Sequence, residues 1–222
     1  MKISKGTRLF IFGFILVVID QIIKIIVKTN MSIGEHFSVF GNWFQILFIE
    51  NEGMAFGMKF GGSVGKLLLS LFRIGLCGFL CWWINQLIHR GADKPTGPIS
   101  ISNPYSKVPM GVLVGLTMIT AGAFGNIIDC AIYGKIFSAS SPGIVAQFGG
   151  HYAPILFGKV VDMFYFPLID TTWPSWIPFV GGAPLRFFEP VFNFADSCVT
   201  VGAIYLILFH YKFFTTDTEK KK

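Results

Sequence analysis

Predominantly apolar runs of about twenty residues occur four times along the chain, separated by segments that contain polar, glycine and proline residues. An α-helix needs about 20 mainly apolar residues to cross the hydrocarbon core of a bilayer. The pattern therefore predicts four transmembrane helices, at approximately 9–27, 66–88, 108–128 and 193–213.

The two longest segments between these helices have different patterns. Apolar and polar residues alternate in parts of the first, 28–65, which predicts short strands. The second, 129–192, is rich in phenylalanine, tryptophan and proline, and such sequence suits the interface between membrane and water. We therefore predict an all-α membrane protein of one domain, 1–222, in which a four-transmembrane-helix bundle carries a small extracytoplasmic β-sheet and an interfacial outer segment.

Composition and charge support a membrane protein. Of the 222 residues, 53% are hydrophobic and only 14% are charged, with a mean hydropathy of +0.62, which excludes an ordinary water-soluble domain. The formal net charge of +6 does not indicate a nucleic-acid partner, because the basic residues flank the predicted helices. By the positive-inside rule, both termini and the 89–107 loop are predicted to be cytoplasmic.

The first apolar run is predicted to be a retained helix rather than a cleaved signal peptide. It is too long for a signal-peptide core, and Asp20 and Lys24 interrupt it. These two residues are four positions apart on one helix face, where they can pair. In the third run, Gly111 and Gly115 indicate close packing inside the bundle rather than a dimer contact.

Acidic residues at helix ends are the strongest indication of chemistry. They are Asp20, Asp129, Asp162 and Asp196. A charged group near hydrocarbon costs roughly 2.5–3.5 kcal/mol, and such groups usually line an active site or a water-filled cavity. Asn126 precedes Asp129 by three positions and Asn193 precedes Asp196 by three, so each pair is predicted to project from one helix face.

Two neighbouring carboxylates cannot both ionise cheaply, so one holds a proton that the other has lost, as in an aspartic protease. Three alternatives compete with this interpretation. The acids could merely cap helices or pair with Lys24 and Arg73. They could serve a small proton- or cation-coupled transporter, although that class typically has internal repeats and interrupted helices, which are not evident here. A non-catalytic assembly subunit would not need two Asn/Asp pairs. Scattered histidines and cysteines within apolar runs give no metal-ligand pattern.

Five motifs occur in one order along the chain: DQIIK at 20–24, NEGMAFG at 51–57, GAFGNIID at 122–129, GKVVDMF at 158–164 and FNFADS at 192–197. In these motifs the chain resembles the lipoprotein signal peptidases, the type II aspartic signal peptidases of the bacterial inner membrane. Spacing alone favours Asp129 with Asp196 as the reacting pair. The resemblance instead implies catalysis by Asp162 and Asp196, and it implies supporting or substrate-binding roles for Asp20, Lys24, Asn51, Gly53, Asn126, Asp129, Asn193 and Ala195.

The resemblance further implies cleavage of diacylglyceryl-modified prolipoproteins immediately before the lipidated cysteine, without a metal or organic cofactor. Membrane lipid is the expected surrounding, a monomer the expected state, and the active site is expected near the outer surface of the inner membrane.

The chain departs from the family pattern in two places. The family usually has arginine after the acid matched by Asp129, whereas this chain has Cys130, so Lys135 or Arg186 is a candidate replacement. Residues 135–157 look inserted, and their serines and glycines predict a mobile outer segment beside the active site.

Overall fold

The computed structural model describes residues 3–52, 62–90, 108–187 and 190–215. The side chains of Arg90, Ile169, Asp170 and residues 185–187 are not described, and Gly53 and most of the 89–107 loop also lie outside the described residues.

Four helices in the described part of the chain are long and apolar enough to cross a membrane. They are α1 (Lys5–Asn30), α2 (Gly62–Arg90), α3 (Met110–Ile128) and α5 (Phe194–Thr215). The predicted number of transmembrane helices is therefore confirmed. The third continues past its predicted end at 128, through a π-helical turn at Asp129–Tyr133 and the short helix α4 (Gly134–Ile136).

The strands form two antiparallel sheets in the described residues. The larger has the order β1-β2-β3-β6, with β1 at His36–Phe40, β2 at Phe44–Asn51, β3 at Val160–Tyr165 and β6 at Val191–Phe192. A separate pair joins β4 (Ile169–Thr172) to β5 (Pro184–Phe187). A small sheet was predicted from the alternation in β1 and β2, and it is confirmed.

The residues divide into two compact units. The first contains Met1–Gln21, Leu68–Ile127 and Ala195–Lys222, and the second contains Ile22–Leu67 and Ile128–Phe194. The assignment of one domain to the whole chain stays a prediction.

The first unit is helical, and its core consists of aliphatic side chains from all its helical segments. The buried members are Leu9, Leu80, Leu87, Val108, Val112, Leu113, Leu116 and Leu206. Gly202 packs so closely against α3 that an added Cβ would lie 2.9 Å from the Gly115 carbonyl oxygen, and a Cβ on Gly115 would lie 2.6 Å from Leu206. The small residues of α3 therefore serve helix packing within the chain, as predicted.

The second unit is built around the four-stranded sheet. Its buried core consists of Val27, Met31, Phe48, Tyr133, Phe137, Val161 and Met163. Strand β2 is rich in phenylalanine and isoleucine, which pack well on a pleated surface. Its partner β3 begins with four consecutive buried residues. Polar groups on β3 therefore need partners within the protein.

Candidate active site

Asp162 lies on β3 with 2% of its surface exposed. Its carboxyl group accepts hydrogen bonds from two amides. Asn193 Nδ2 lies 2.6 Å from Oδ1, and Asn51 Nδ2 lies 3.2 Å from Oδ2. Asn51 is on β2, where it pairs with Val160, and alternation along the strands places it on the same face as Asp162. The sheet register thus brings one of the amides to the acid.

Asp196 lies in the first turn of α5 and is partly exposed. Asn126 of α3 donates from Nδ2 to Asp196 Oδ1 at 2.8 Å. The first turn of a helix carries unsatisfied N–H groups and a positive partial charge, both of which favour a carboxylate there. Asp196 therefore has an amide partner and a favourable backbone environment.

Asp20 supports the beginning of α5. Its Oδ1 accepts the backbone N–H of Ala195 at 2.9 Å, and its Oδ2 accepts the side-chain amide of Gln21 at 3.1 Å. Gln21 also donates to the Gly125 carbonyl at 3.2 Å, and a Cβ on Gly125 would collide with Asp20. By accepting the Ala195 N–H, Asp20 caps the start of α5, as one of the alternatives to catalysis predicts for the acids.

Asp129 is held by a buried cation. Lys24 Nζ lies 2.8 Å from its Oδ2, and neither side chain is exposed. The same oxygen lies 3.3 Å from the backbone N of Val161, the residue directly before Asp162. Asp129 therefore forms an ion pair that also anchors β3. The alternative in which an acid pairs with Lys24 is correct for Asp129.

Of the two candidates for replacing the arginine missing at Cys130, the structure describes the side chain of Lys135 alone. Lys24 is the cation beside Asp129, while Lys135 is exposed. The side chain of the other candidate, Arg186, is outside the described residues. One of the sequence-based alternatives allowed an acid to pair with Lys24, but the distance between Lys24 and Cys130 along the chain gave no reason to choose Asp129 as that acid.

Each asparagine of the two Asn-x-x-Asp pairs donates to an acid outside its own pair. Asn193 donates to Asp162, and Asn126 donates to Asp196, whereas the ion-pair partner of Asp129 is Lys24. The helix becomes π-helical at Asp129, so the regular helix on which the spacing argument was based ends here. π-Helical turns are frequent at functional sites.

Parts of the 135–157 segment pack in the core of the second unit, although many of its residues are exposed, and its mobility stays a prediction. Phe137 is fully buried and contacts the Tyr133 ring edge-on, at 5.0 Å between centroids. The Tyr152 hydroxyl accepts the backbone N–H of Lys159 at 2.9 Å. Burial raises the pKa of the Tyr152 phenol above its usual range, although this N–H donor opposes the effect. Deleting the segment would remove buried contacts such as those of Phe137, so we expect the deletion to impair folding.

Sequence reasoning missed a second buried ionic group in the same unit. Lys28 pairs with Glu50, which also lies 3.4 Å from Lys159 Nζ, and Ser140 joins the group. The available signal was the four-residue spacing of Lys24 and Lys28, which places two lysines on one face at the end of α1. No cluster of three or more His, Cys, Asp or Glu side chains that could hold a metal ion occurs among the described residues.

These features define a multi-pass membrane protein whose acids are held by side-chain amides, backbone N–H groups and a buried lysine. Residues 12–212 match the family model described as signal peptidase (SPase) II, and the chain belongs to that family. A lipoprotein signal peptidase of Porphyromonas gingivalis is 44% identical over 209 residues, covering 93% of this chain and 84% of the relative. One of Amoebophilus asiaticus is 31% identical over 207 residues, covering 92% and 78%.

The fold is also similar to that of a solved bacterial membrane enzyme, determined by the in meso method at 2.3 Å resolution. The TM-score is 0.53 with 22% sequence identity, and the match covers 97% of this chain and 92% of the other. At this identity the likeness concerns the fold alone. Membership of a peptidase family does not favour the transporter alternative.

Proposed function

We propose that this protein is an intramembrane aspartic endopeptidase that removes the signal peptide from diacylglyceryl-modified prolipoproteins, cutting before the lipidated cysteine. The relatives are named lipoprotein signal peptidases. We assign Asp162 as a catalytic acid because its carboxyl group is buried and accepts hydrogen bonds from two asparagine amides.

In the proposed reaction, Asp162 and Asp196 act as the general base and general acid. The ionised carboxylate takes a proton from water, and the water oxygen attacks the scissile carbonyl carbon. The protonated partner donates to the carbonyl oxygen. The carboxyl group that took the water proton then gives it to the departing amine as the C–N bond breaks, and a hydroxyl of the tetrahedral intermediate returns a proton to the other carboxylate, which yields a free carboxyl group, a new amino terminus and the original pair of acids.

The other site residues position these acids. Asn51 and Asn193 orient Asp162, Asn126 orients Asp196, and Asp20 holds the Ala195 backbone one residue before it. Lys24 and Asp129 anchor the strand that carries Asp162. Gly53, outside the described residues, is assigned a supporting role from the family resemblance alone.

We assign the active site to the outer side of the bacterial inner membrane, with both termini in the cytoplasm and the enzyme acting as a monomer in lipid. The flanking lysines and arginines support this orientation by the positive-inside rule. The uncharged 171–184 segment has two tryptophans and many exposed residues, as expected of an interfacial segment.

The test is cleavage by purified protein of one prolipoprotein in two forms, with and without the diacylglyceryl group. We expect a shift to a smaller product only for the lipidated form, with mass spectrometry placing the new amino terminus at the lipidated cysteine. An Asp162→Asn preparation at equal concentration is the control for contaminating proteases. Cleavage elsewhere, equal cleavage of both forms, or full activity of the control would contradict the proposal.

A further inference from the structure

We propose that Lys28, Glu50 and Ser140 form a positioning group that fixes Asp162 through strand β2, and that this is the role of the inserted 135–157 segment. The inference rests on the proposed function of Asp162 as a catalytic acid. None of the three residues belongs to the five motifs, and all three lie in the second unit.

The group is buried and closely connected. Lys28 is fully buried, Ser140 is 7% exposed and the Glu50 side chain is 2% exposed. The Lys28 ammonium group contacts Glu50 Oε1 and donates to Ser140 Oγ at 3.0 Å, while the Ser140 hydroxyl donates to Glu50 Oε1 at 3.0 Å. Each member of this triangle therefore contacts the other two.

Aromatic rings of the 135–157 segment complete the surroundings of Lys28. Its Nζ lies 5.1 Å from the centroid of Tyr152 and 5.4 Å from that of Phe137. A desolvated ammonium group is attracted to the faces of such rings. Lys28 is thus the point at which the end of α1, strand β2 and the inserted segment meet.

Strand geometry connects this group to Asp162. Glu50 and Asn51 are consecutive on β2, so their side chains point to opposite faces of the sheet. Glu50 pairs with Val161 and Asn51 with Val160. On one face, Glu50 is fixed by the buried lysine. On the other, Asn51 donates to Asp162. A shift of β2 would therefore change the distance between Asn51 and Asp162.

Buried ionic groups resist such shifts, because separating an oppositely charged pair in a low-dielectric interior is costly. Lys159 adds a second cation to Glu50 from the residue before β3, and its side chain is 35% exposed. The charges thus link β2 to the approach to β3. A misplacement of about 1 Å in a reacting group can cost about 100-fold in rate.

The main test compares Ser140→Ala with Ser141→Ala. Both remove one hydroxyl from the inserted segment, but the described contacts of Ser141 are backbone hydrogen bonds with Ile144. Ser140→Ala removes the hydrogen bond accepted from Lys28 and the one donated to Glu50, and we expect about 5-fold lower kcat with an unchanged KM. Ser140→Thr, which keeps the hydroxyl, should recover most of the loss, and Ser141→Ala should match the wild type.

A second readout does not depend on cleavage. The side-chain amide signal of Asn51, observed by NMR in protein labelled with ¹⁵N-asparagine and assigned by its loss in Asn51→Gln, should shift in Ser140→Ala and stay in place in Ser141→Ala. If the wild type fails to cleave lipidated prolipoprotein, the proposed function fails, and this signal still decides whether the group positions Asn51.

Several results would overturn the inference. They are an unmoved Asn51 signal in Ser140→Ala, an unchanged kcat, or a raised KM with normal kcat, which would indicate substrate contact instead. If Ser140→Ala does not fold, the pair Lys28→Met with Glu50→Leu replaces the charges by apolar side chains, which proteins often tolerate. A folded double variant with wild-type kcat and an unmoved Asn51 signal would equally refute the positioning role.

Discussion

Asp129 and Asp162 are two buried acids of the same unit, but a charged side chain contacts the first and neutral amides contact the second. Asp129, in the π-helical turn, contacts the ammonium group of Lys24, with both side chains fully buried. Asp162, on β3, accepts from the neutral amides of Asn51 and Asn193. An ion pair needs the ionised acid. An amide N–H can donate to a carboxyl oxygen in either protonation state.

The difference supports the proposal that Asp162, rather than Asp129, takes part in proton transfer. A carboxylate paired with a buried lysine loses the attraction between opposite charges when it accepts a proton, and the lysine charge is then left uncompensated. The carboxyl group of Asp162 keeps its amide donors through a protonation cycle. Burial is therefore a poor guide to catalysis, and the chemical nature of the hydrogen-bond partners separates the two acids.

The largest effect is expected from converting each acid to its amide. Asp162→Asn and Asp196→Asn should be folded and inserted but nearly inactive, because loss of proton transfer alone costs typically 10²- to 10⁴-fold. Asp129→Asn should keep measurable activity. The measurement is the cleavage rate of each variant at equal abundance in the membrane. An active Asp162→Asn together with an inactive Asp129→Asn would make Asp129, rather than Asp162, the catalytic acid.

Removing the lysine should affect stability more than chemistry. Lys24→Met leaves Asp129 buried without its cation, and breaking a buried pair in this way typically costs about 3–5 kcal/mol. We expect a clearly lower melting temperature in detergent. The double variant Lys24→Met with Asp129→Asn should recover part of the loss, and a double variant less stable than Lys24→Met would show that the pair is not the cause.

Truncating the amides one at a time should give a smaller loss of activity. Asn193→Ala and Asn51→Ala each remove one hydrogen bond to Asp162, and a bond to a charged group contributes about 1.5–3 kcal/mol. We expect Asn193→Ala to lower kcat more, because its contact is shorter, 2.6 Å against 3.2 Å. Equal wild-type rates for both would mean that the amides do not orient the acid.

The smallest effect is expected from a chelator. If water is activated by carboxylates, saturating EDTA should leave the cleavage rate of lipidated prolipoprotein unchanged. Inhibition that a single divalent ion specifically reverses would argue for metal-assisted chemistry and against the aspartate assignment.

Sequence alone predicted the helices well because each is a long apolar run. It missed β3 as a strand, since Val160–Tyr165 is short and begins with buried residues on both faces, which removes the alternation. The partners of Asp162 were also beyond reach of local spacing. Asn51 and Asn193 are 111 and 31 positions away, and the folded sheet and the start of α5 bring them to the acid.

The five motifs contain the acids and the asparagines that the structure joins by hydrogen bonds. The motifs could not show which asparagine donates to which acid, because an Asn-x-x-Asp spacing describes neighbours on a regular helix. At Asp129 the helix is no longer regular, and at Asn193 the residue precedes the helix. Lys28 and Glu50 lie outside the five motifs, so the sequence alone assigned them no role.

The two lysines near the end of α1 also constrain the order in which the helices are inserted and buried during synthesis. Lys24 pairs with Asp129, and Lys28 pairs with Glu50. Asp129 is synthesised more than a hundred residues after Lys24. An unpaired ammonium group is costly to bury, so we infer that Lys24 stays hydrated until the third transmembrane segment has left the ribosome and entered the bilayer. Nascent chains stalled before Asp129 should react with an amine-modifying reagent at Lys24, and full-length protein should not. Equal labelling of both would show that α1 completes its burial without the later segment.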